Sequence, residues 1–190
     1  MKSISIFKKS IATIVILLFV IFNATSQENM ISVAGGYVLN NIEDVETDAG
    51  GWRINANYEF NPAEGKIAHG LTIGYVNTSA SSSTAGQTSD YDLSSLPIYY
   101  APKFFFGKGS FKGFLKGAAG IHFSTYKRTG TALEVTADDA GFYGGAGLGL
   151  MKSFKGSLFI NFEYEWAYLS NSYYKDGFIN SIILGVGLKF

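Results

Sequence analysis

The 190-residue chain has no cysteine, only 2 histidines and 3 prolines, and a formal charge of zero. Without thiols there is no disulfide framework, no thiolate nucleophile and no cysteine-based metal site. The histidines, His69 and His122, have no Asp/Glu cluster at metal-ligand spacing beside them, so neither a metal nor a cofactor is expected. Balanced charge gives no bulk pull toward nucleic acid or anionic lipid. A bilayer-spanning helix is missing too, because the one sustained apolar run, residues 11–22, is about 12 residues long and such a helix needs roughly 20. Glycine and aromatic residues are abundant instead, at 23 Gly and 16% Phe, Trp and Tyr. The glycines are interleaved with apolar residues, as in Gly141-Phe142-Tyr143-Gly144-Gly145-Ala146-Gly147-Leu148-Gly149-Leu150.

The short apolar run follows Lys2, Lys8 and Lys9 and precedes Ala24 and Ser26, small residues at the −3 and −1 positions before Gln27. That is the layout of a cleaved secretory signal peptide over residues 1–26. An uncleaved anchor is the alternative, and the shortness of the run and the polar residues after it count against that. One domain is expected over residues 27–190.

Within that domain the side chains alternate. Trp52, Ile54, Ala56, Tyr58 and Phe60 fall on one face of an extended segment, and Arg53, Asn55, Asn57 and Glu59 on the other. A period of two specifies a strand, since an amphipathic helix repeats at 3.6. Eight such segments are expected, at residues 30–39, 52–60, 68–77, 96–106, 111–123, 141–151, 158–168 and 178–190. Their connections alternate between long, polar stretches (41–50, 78–95, 124–140, 169–177) and shorter turns (61–67, 107–110, 152–156). The pattern predicts an all-β fold, an eight-stranded antiparallel up-and-down transmembrane β-barrel preceded by a signal-peptide helix.

A soluble barrel alternates as well, with its apolar face inward. Here the polar face carries full charges in mid-strand, as at Lys116, Glu163 and Glu165. Aromatic residues stand at the ends of the apolar face, among them Trp52, Phe60, Trp166, Tyr168, Phe104, Phe106 and Phe111, where membrane interfaces favour them. The expected lengths, about nine to eleven residues, suit a tilted strand in a bilayer. Pro97 and Pro102 each remove a ladder donor from the fourth strand, which predicts a bulge there or a later strand start.

The closing segment, with Ile182, Leu184, Val186, Leu188 and Phe190 at alternate positions, resembles the C-terminal signature of outer-membrane proteins. Together with Ser95-Leu96-Pro97-Ile98-Tyr99-Tyr100 and Phe142-Tyr143-Gly144-Gly145-Ala146-Gly147-Leu148-Gly149, it makes residues 27–190 similar to the small outer-membrane β-barrels of the OmpA-transmembrane and opacity or adhesion type. The resemblance implies the Gram-negative outer membrane as location. It also implies Phe190, Leu188 and Val186 as the signal read by the barrel-insertion machinery, and contact with outer-membrane lipid and lipopolysaccharide. Nothing follows Phe190, so the peptidoglycan-binding domain of full OmpA-type proteins is not expected.

Parity points Arg53, Glu59, Lys103, Lys112, Lys116, His122, Glu163 and Glu165 into the lumen. They are expected to form a packed polar plug, because an unpaired buried charge costs several kcal/mol; a narrow ion path is the alternative. His122-Phe123-Ser124 matches the His-x-Ser pair of lipid A deacylase barrels. Here both polar residues point inward, the neighbouring asparagine-rich motif is missing, and no acid is placed to orient the histidine. No enzymatic activity is therefore expected. Any extracellular ligand is expected at residues 78–95 and 124–140. The role expected is structural or surface-interacting and adhesin-like.

Overall fold

Strands that alternate strictly, with apolar side chains turned to lipid, must satisfy every backbone group within the sheet, and an open edge would leave a row unpaired. The computed structural model meets this demand by closure. It describes residues 27–42, 48–62, 65–84, 87–130 and 134–190; the expected signal-peptide helix and its cleavage site lie outside them. The strands are β1 (Gln27–Ile42), β2 (Asp48–Pro62), β3 (Ile67–Thr84), β4 (Gln87–Tyr100), β5 (Lys103–Phe106), β6 (Phe111–Gly130), β7 (Val135–Ser153), β8 (Leu158–Leu169) and β9 (Tyr174–Lys189). Each pairs antiparallel with its neighbours, and β1 pairs with β9 to close the ring. Since β4 and β5 are two halves of one stave, the barrel has eight.

The stave holding both prolines does not bulge and does not start late, contrary to expectation. One register runs along β3 from Thr84↔Gln87 to Ile67↔Phe104, and another along β6 from Ser89↔Gly130 to Phe106↔Gly113. Hydrogen bonds cross the break between β4 and β5, from Ala101 N–H to the Gly70 carbonyl (2.8 Å) and from Gly117 N–H to the Pro102 carbonyl (3.0 Å). The registers set each proline opposite a glycine: the Pro97 ring approaches Gly74, and the Pro102 ring approaches Gly117. With no side chain on the facing residue, the ring takes the space and the stave stays straight.

Ring size follows from the register. Starting at Ile31, successive partners are Tyr58, Leu71, Tyr100, Ala119, Gly144, Tyr168 and Phe178. The path returns to β1 one residue beyond Asn40, the partner of Ile179, ten residues above its start. Eight staves with a stagger of ten residues correspond to a strand tilt of roughly 40° and a backbone radius of about 8 Å. Such a ring has room inside for side chains and little else.

Strand lengths differ from expectation. Residues 78–95 and 124–140 are largely strand rather than loop, as β3 runs to Thr84, β4 begins at Gln87, β6 runs to Gly130 and β7 begins at Val135. The reason is that alternation continues with its polarity reversed. In the band, Tyr75, Leu96, Ile121, Phe123 and Phe142 face outward. Past it, Asp92, Thr125 and Asp138 face outward while Val76, Tyr91, Leu93 and Tyr126 are buried. A four-stranded wall of β3, β4, β6 and β7 thus stands beyond the lipid-facing band with an apolar interior of its own.

Candidate functional site

Two arrangements invite a functional reading: the contents of the lumen, and the wall.

The lumen is layered. At the short-turn end, Met30, Ala68, Phe105, Phe114, Met151 and Phe159 form an apolar seal. Its rings fit because Gly149 and Gly187 face inward: the Phe114 ring occupies the space of a Cβ on Gly149, and the Phe159 ring that of a Cβ on Gly187. At the wall end a second seal includes Val38, Ile42, Val76, Tyr91, Leu93 and Ile179.

Between the seals lies a charged layer. Arg53 and Glu165 are fully buried, with Arg53 Nη1 2.5 Å from Glu165 Oε1. Lys116 pairs with both Glu163 and Glu165. Arg53 also donates to Ser181 Oγ (3.1 Å) and Tyr99 OH (3.3 Å), and Tyr143 OH donates to Glu165 Oε1 (2.5 Å). The Tyr99 and Tyr143 rings stack at 4.5 Å, and Lys116 Nζ lies 5.8 Å from the Tyr99 ring centre. Two cations and two carboxylates balance, which is the condition for burying charge without a large penalty. Toward the short turns Lys103 pairs separately with Glu59 at 2.6 Å, its ammonium 4.9 Å from the Phe114 ring centre.

The other two residues placed in the lumen by parity stand outside these clusters. Lys112 is half-buried at the short-turn rim, 6.0 Å from the Phe105 ring centre, with no carboxylate partner among the described residues. The rim is open to water, so inward parity there does not bury the ammonium. His122 is buried, its Nδ1 2.9 Å from Ser124 Oγ, which in turn is 2.7 Å from Ser95 Oγ. Its ring also meets the Ser170 backbone. Asp139, opposite Ser124 in the ladder, accepts the Ala140 N–H at 2.8 Å. Both hydroxyls are buried, and the two serines line a surface depression together with Leu96, Phe123 and Asp139. Tyr99, Tyr143 and Ser181 were missing from the sequence-derived set. Parity opposite to lipid-facing Tyr100, Phe142 and Ile182 is the signal that identifies them.

A lumen sealed at both ends and ion-paired between favours the plug over the ion path. The barrel, residues 27–190, in a planar bilayer is expected to show no unitary current steps. Discrete steps that change in Lys116→Met would restore the ion path.

Among the described residues the wall has two edges without a strand partner. Pairing of β3 with β2 ends at Gly50↔Ser79, and pairing of β7 with β8 begins at Tyr143↔Leu169. Phe142 exchanges hydrogen bonds with Ser170 on the β8 side. By alternation the N–H and C=O of Thr136 and Asp138 point to that side as well, where no strand follows among the described residues. Outward side chains on the wall are mostly short and polar, cross-linked by Asn77–Asp92 (2.8 Å), Ser81–Asp90 (2.7 Å) and Thr125–Asp138 (2.7 Å). Lys127 pairs with Glu134 at 2.7 Å, and that hydrogen bond holds its ammonium pKa above the ordinary lysine value.

Against known proteins, the family model described as "Outer membrane protein beta-barrel domain" matches residues 12–190. No curated protein matches the sequence. Among solved structures, Neisserial surface protein A superposes with a TM-score of 0.62 at 12% identity, covering 87% of this chain and all of that one. Ail, the attachment invasion locus protein of Yersinia pestis, superposes at 0.55 with 18% identity and the same coverage. Its complex with the heparin analogue sucrose octasulfate superposes at 0.53.

Proposed function

The chain belongs to the outer membrane protein β-barrel domain family, and from that premise we propose that it is a non-enzymatic, adhesin-like surface-interaction protein. The filled barrel anchors it, and the wall of β3, β4, β6 and β7 presents the binding surface outside the cell. The observation carrying this reading is the wall itself. Six or more residues per strand extend past the lipid-facing band, packed on an apolar interior and ending in a free β7 edge. An exposed edge is a template for an extended segment of another protein. The name of Ail, a protein of attachment and invasion, is in keeping with the reading. Its heparin analogue is a poorer guide, because this wall turns Asp90, Asp92 and Asp138 outward. Export by a cleaved signal peptide and insertion through recognition of Phe190, Leu188 and Val186 complete the proposal. These three residues are exposed on the lipid face of β9 and the end of the chain.

Thr136→Pro together with Asp138→Pro removes two N–H donors from the free edge while sparing the ladder to β6. Cells displaying wild type are expected to adhere to members of a panel of immobilised extracellular proteins and glycans. The double variant, folded and at equal surface level, is expected to adhere no better than vector-only cells. Unchanged adherence would remove the edge from the reading, and wild-type cells that bind nothing on the panel would remove the reading itself.

A further inference from the structure

Zero formal charge conceals two poles. Among the described residues at the wall end, within 40–42, 48–51, 77–84, 87–95, 124–130, 134–141 and 169–178, there are seven acidic and three basic residues. At the other end the sign reverses, and the basic residues gather at one place. The turn 107–110 joins β5 to β6, and the turn 154–157 joins β7 to β8. The two dock on each other because β6 and β7 are neighbours: Phe111 lies opposite Lys152, Lys112 opposite Met151, and the Ser153 N–H donates to the Ser110 carbonyl at 2.7 Å. Lys108 and Lys155 lie in these two turns and Lys152 stands beside them, opposite outward Phe111, while Lys112, opposite inward Met151, stands on the lumen side of the rim. No carboxylate occurs in residues 103–112 or 149–158, and none of the four lysines has an ion-pair partner among the described residues. Lys152 Nζ reaches only the Ser110 hydroxyl, at 3.0 Å. Beside the cluster Phe106, Phe111 and Phe154 are about half exposed, at 49%, 53% and 45%, and they line the last row of the lipid-facing band.

Lys108, Lys152 and Lys155 are unneutralised and repel one another, and an anion relieves that repulsion. Their position at the margin of the apolar band is the depth of lipid phosphates, and the phenyl rings beside them suit acyl chains. We infer that this joint binds the phosphate of an anionic phospholipid in the leaflet facing the short turns. The binding rests on the membrane placement of the barrel and is independent of the wall, so it stands or falls separately from adhesion.

The test uses the mature protein in detergent, with native mass spectrometry of bound lipid. Phosphatidylglycerol adducts are expected to exceed those of phosphatidylcholine with the same acyl chains by at least about tenfold, and to fall as ionic strength rises. Substituting Lys108, Lys152 and Lys155 by Gln together is expected to abolish the preference, whereas Lys127→Gln with Arg128→Gln at the opposite pole leaves it intact. Heat-modifiable migration on a gel reports whether each variant is folded. Should the triple variant not fold, Lys108→Gln and Lys155→Gln at the turn tips are each expected to reduce the preference by about fivefold. An undiminished preference in the folded lysine variants overturns the site. Loss of the preference on adding inorganic phosphate at the lipid's concentration overturns the lipid assignment in favour of a general anion site. Equal binding of soluble acidic muropeptides overturns it in favour of a solvent-borne partner.

Discussion

Glu165→Gln is expected to cost the folded barrel about 3–5 kcal/mol, the range for removing one partner from a buried ion pair. Glu165 receives Arg53, Lys116 and the Tyr143 hydroxyl at once. Its neutralisation leaves two buried cations facing the single carboxylate of Glu163 in that cluster. Urea unfolding in detergent micelles or bilayers, followed by gel migration, measures the loss. The layout also predicts strong non-additivity. Lys116→Met alone leaves two carboxylates facing Arg53, whereas Lys116→Met with Glu163→Gln leaves the neutral Arg53–Glu165 pair. The double variant is expected to be more stable than Lys116→Met alone, a sign that independent contributions cannot produce. Equal losses for all three variants would mean that water, rather than the partners, solvates these charges.

Leu184→Arg carries the second large effect. Leu184 is 62% exposed near the middle of β9, paired with Phe162 on one side and Gly35 on the other. On the surface of a soluble barrel this substitution would fall within about ±0.5 kcal/mol. In a bilayer it places a guanidinium at mid-depth, at a cost of about 2–4 kcal/mol. Folding titrations in lipid vesicles distinguish the two cases directly. Lys127→Leu on the wall reverses the logic: it adds apolar surface in water, and its effect on barrel stability is expected to be small.

Strand positions and faces were legible in the sequence because period two survives from Trp52 to Phe60 and from Leu158 to Tyr168 without a break. Strand ends were not. At residues 78–95 the outward side chains turn polar, so composition resembles a loop, while inward Tyr91 and Leu93 hold the strand in place. The prolines misled for a related reason. A missing donor can be read from one residue, but Gly74 and Gly117 lie on other strands, and only the register brings them opposite Pro97 and Pro102. The charged layer shows the same limit. Parity decides which way Arg53, Lys116 and Glu165 point, yet which charges meet depends on the stagger round the ring. That stagger is a property of all eight staves together. The lysine joint was hidden further, since Lys108 and Lys155 belong to different hairpins and cancel in a whole-chain charge.

The ten-residue stagger on eight staves has a consequence for enlargement of the ring. Duplicating one hairpin to give ten staves would widen the diameter by about a quarter while side-chain lengths stay the same. Arg53 would then fall short of Glu165, Phe114 and Phe159 would no longer meet across the floor, and water would enter to solvate the stranded charges. The closed lumen is therefore a property of this circumference, and a chain built by repeating the same hairpins would begin its history as a leaky conduit.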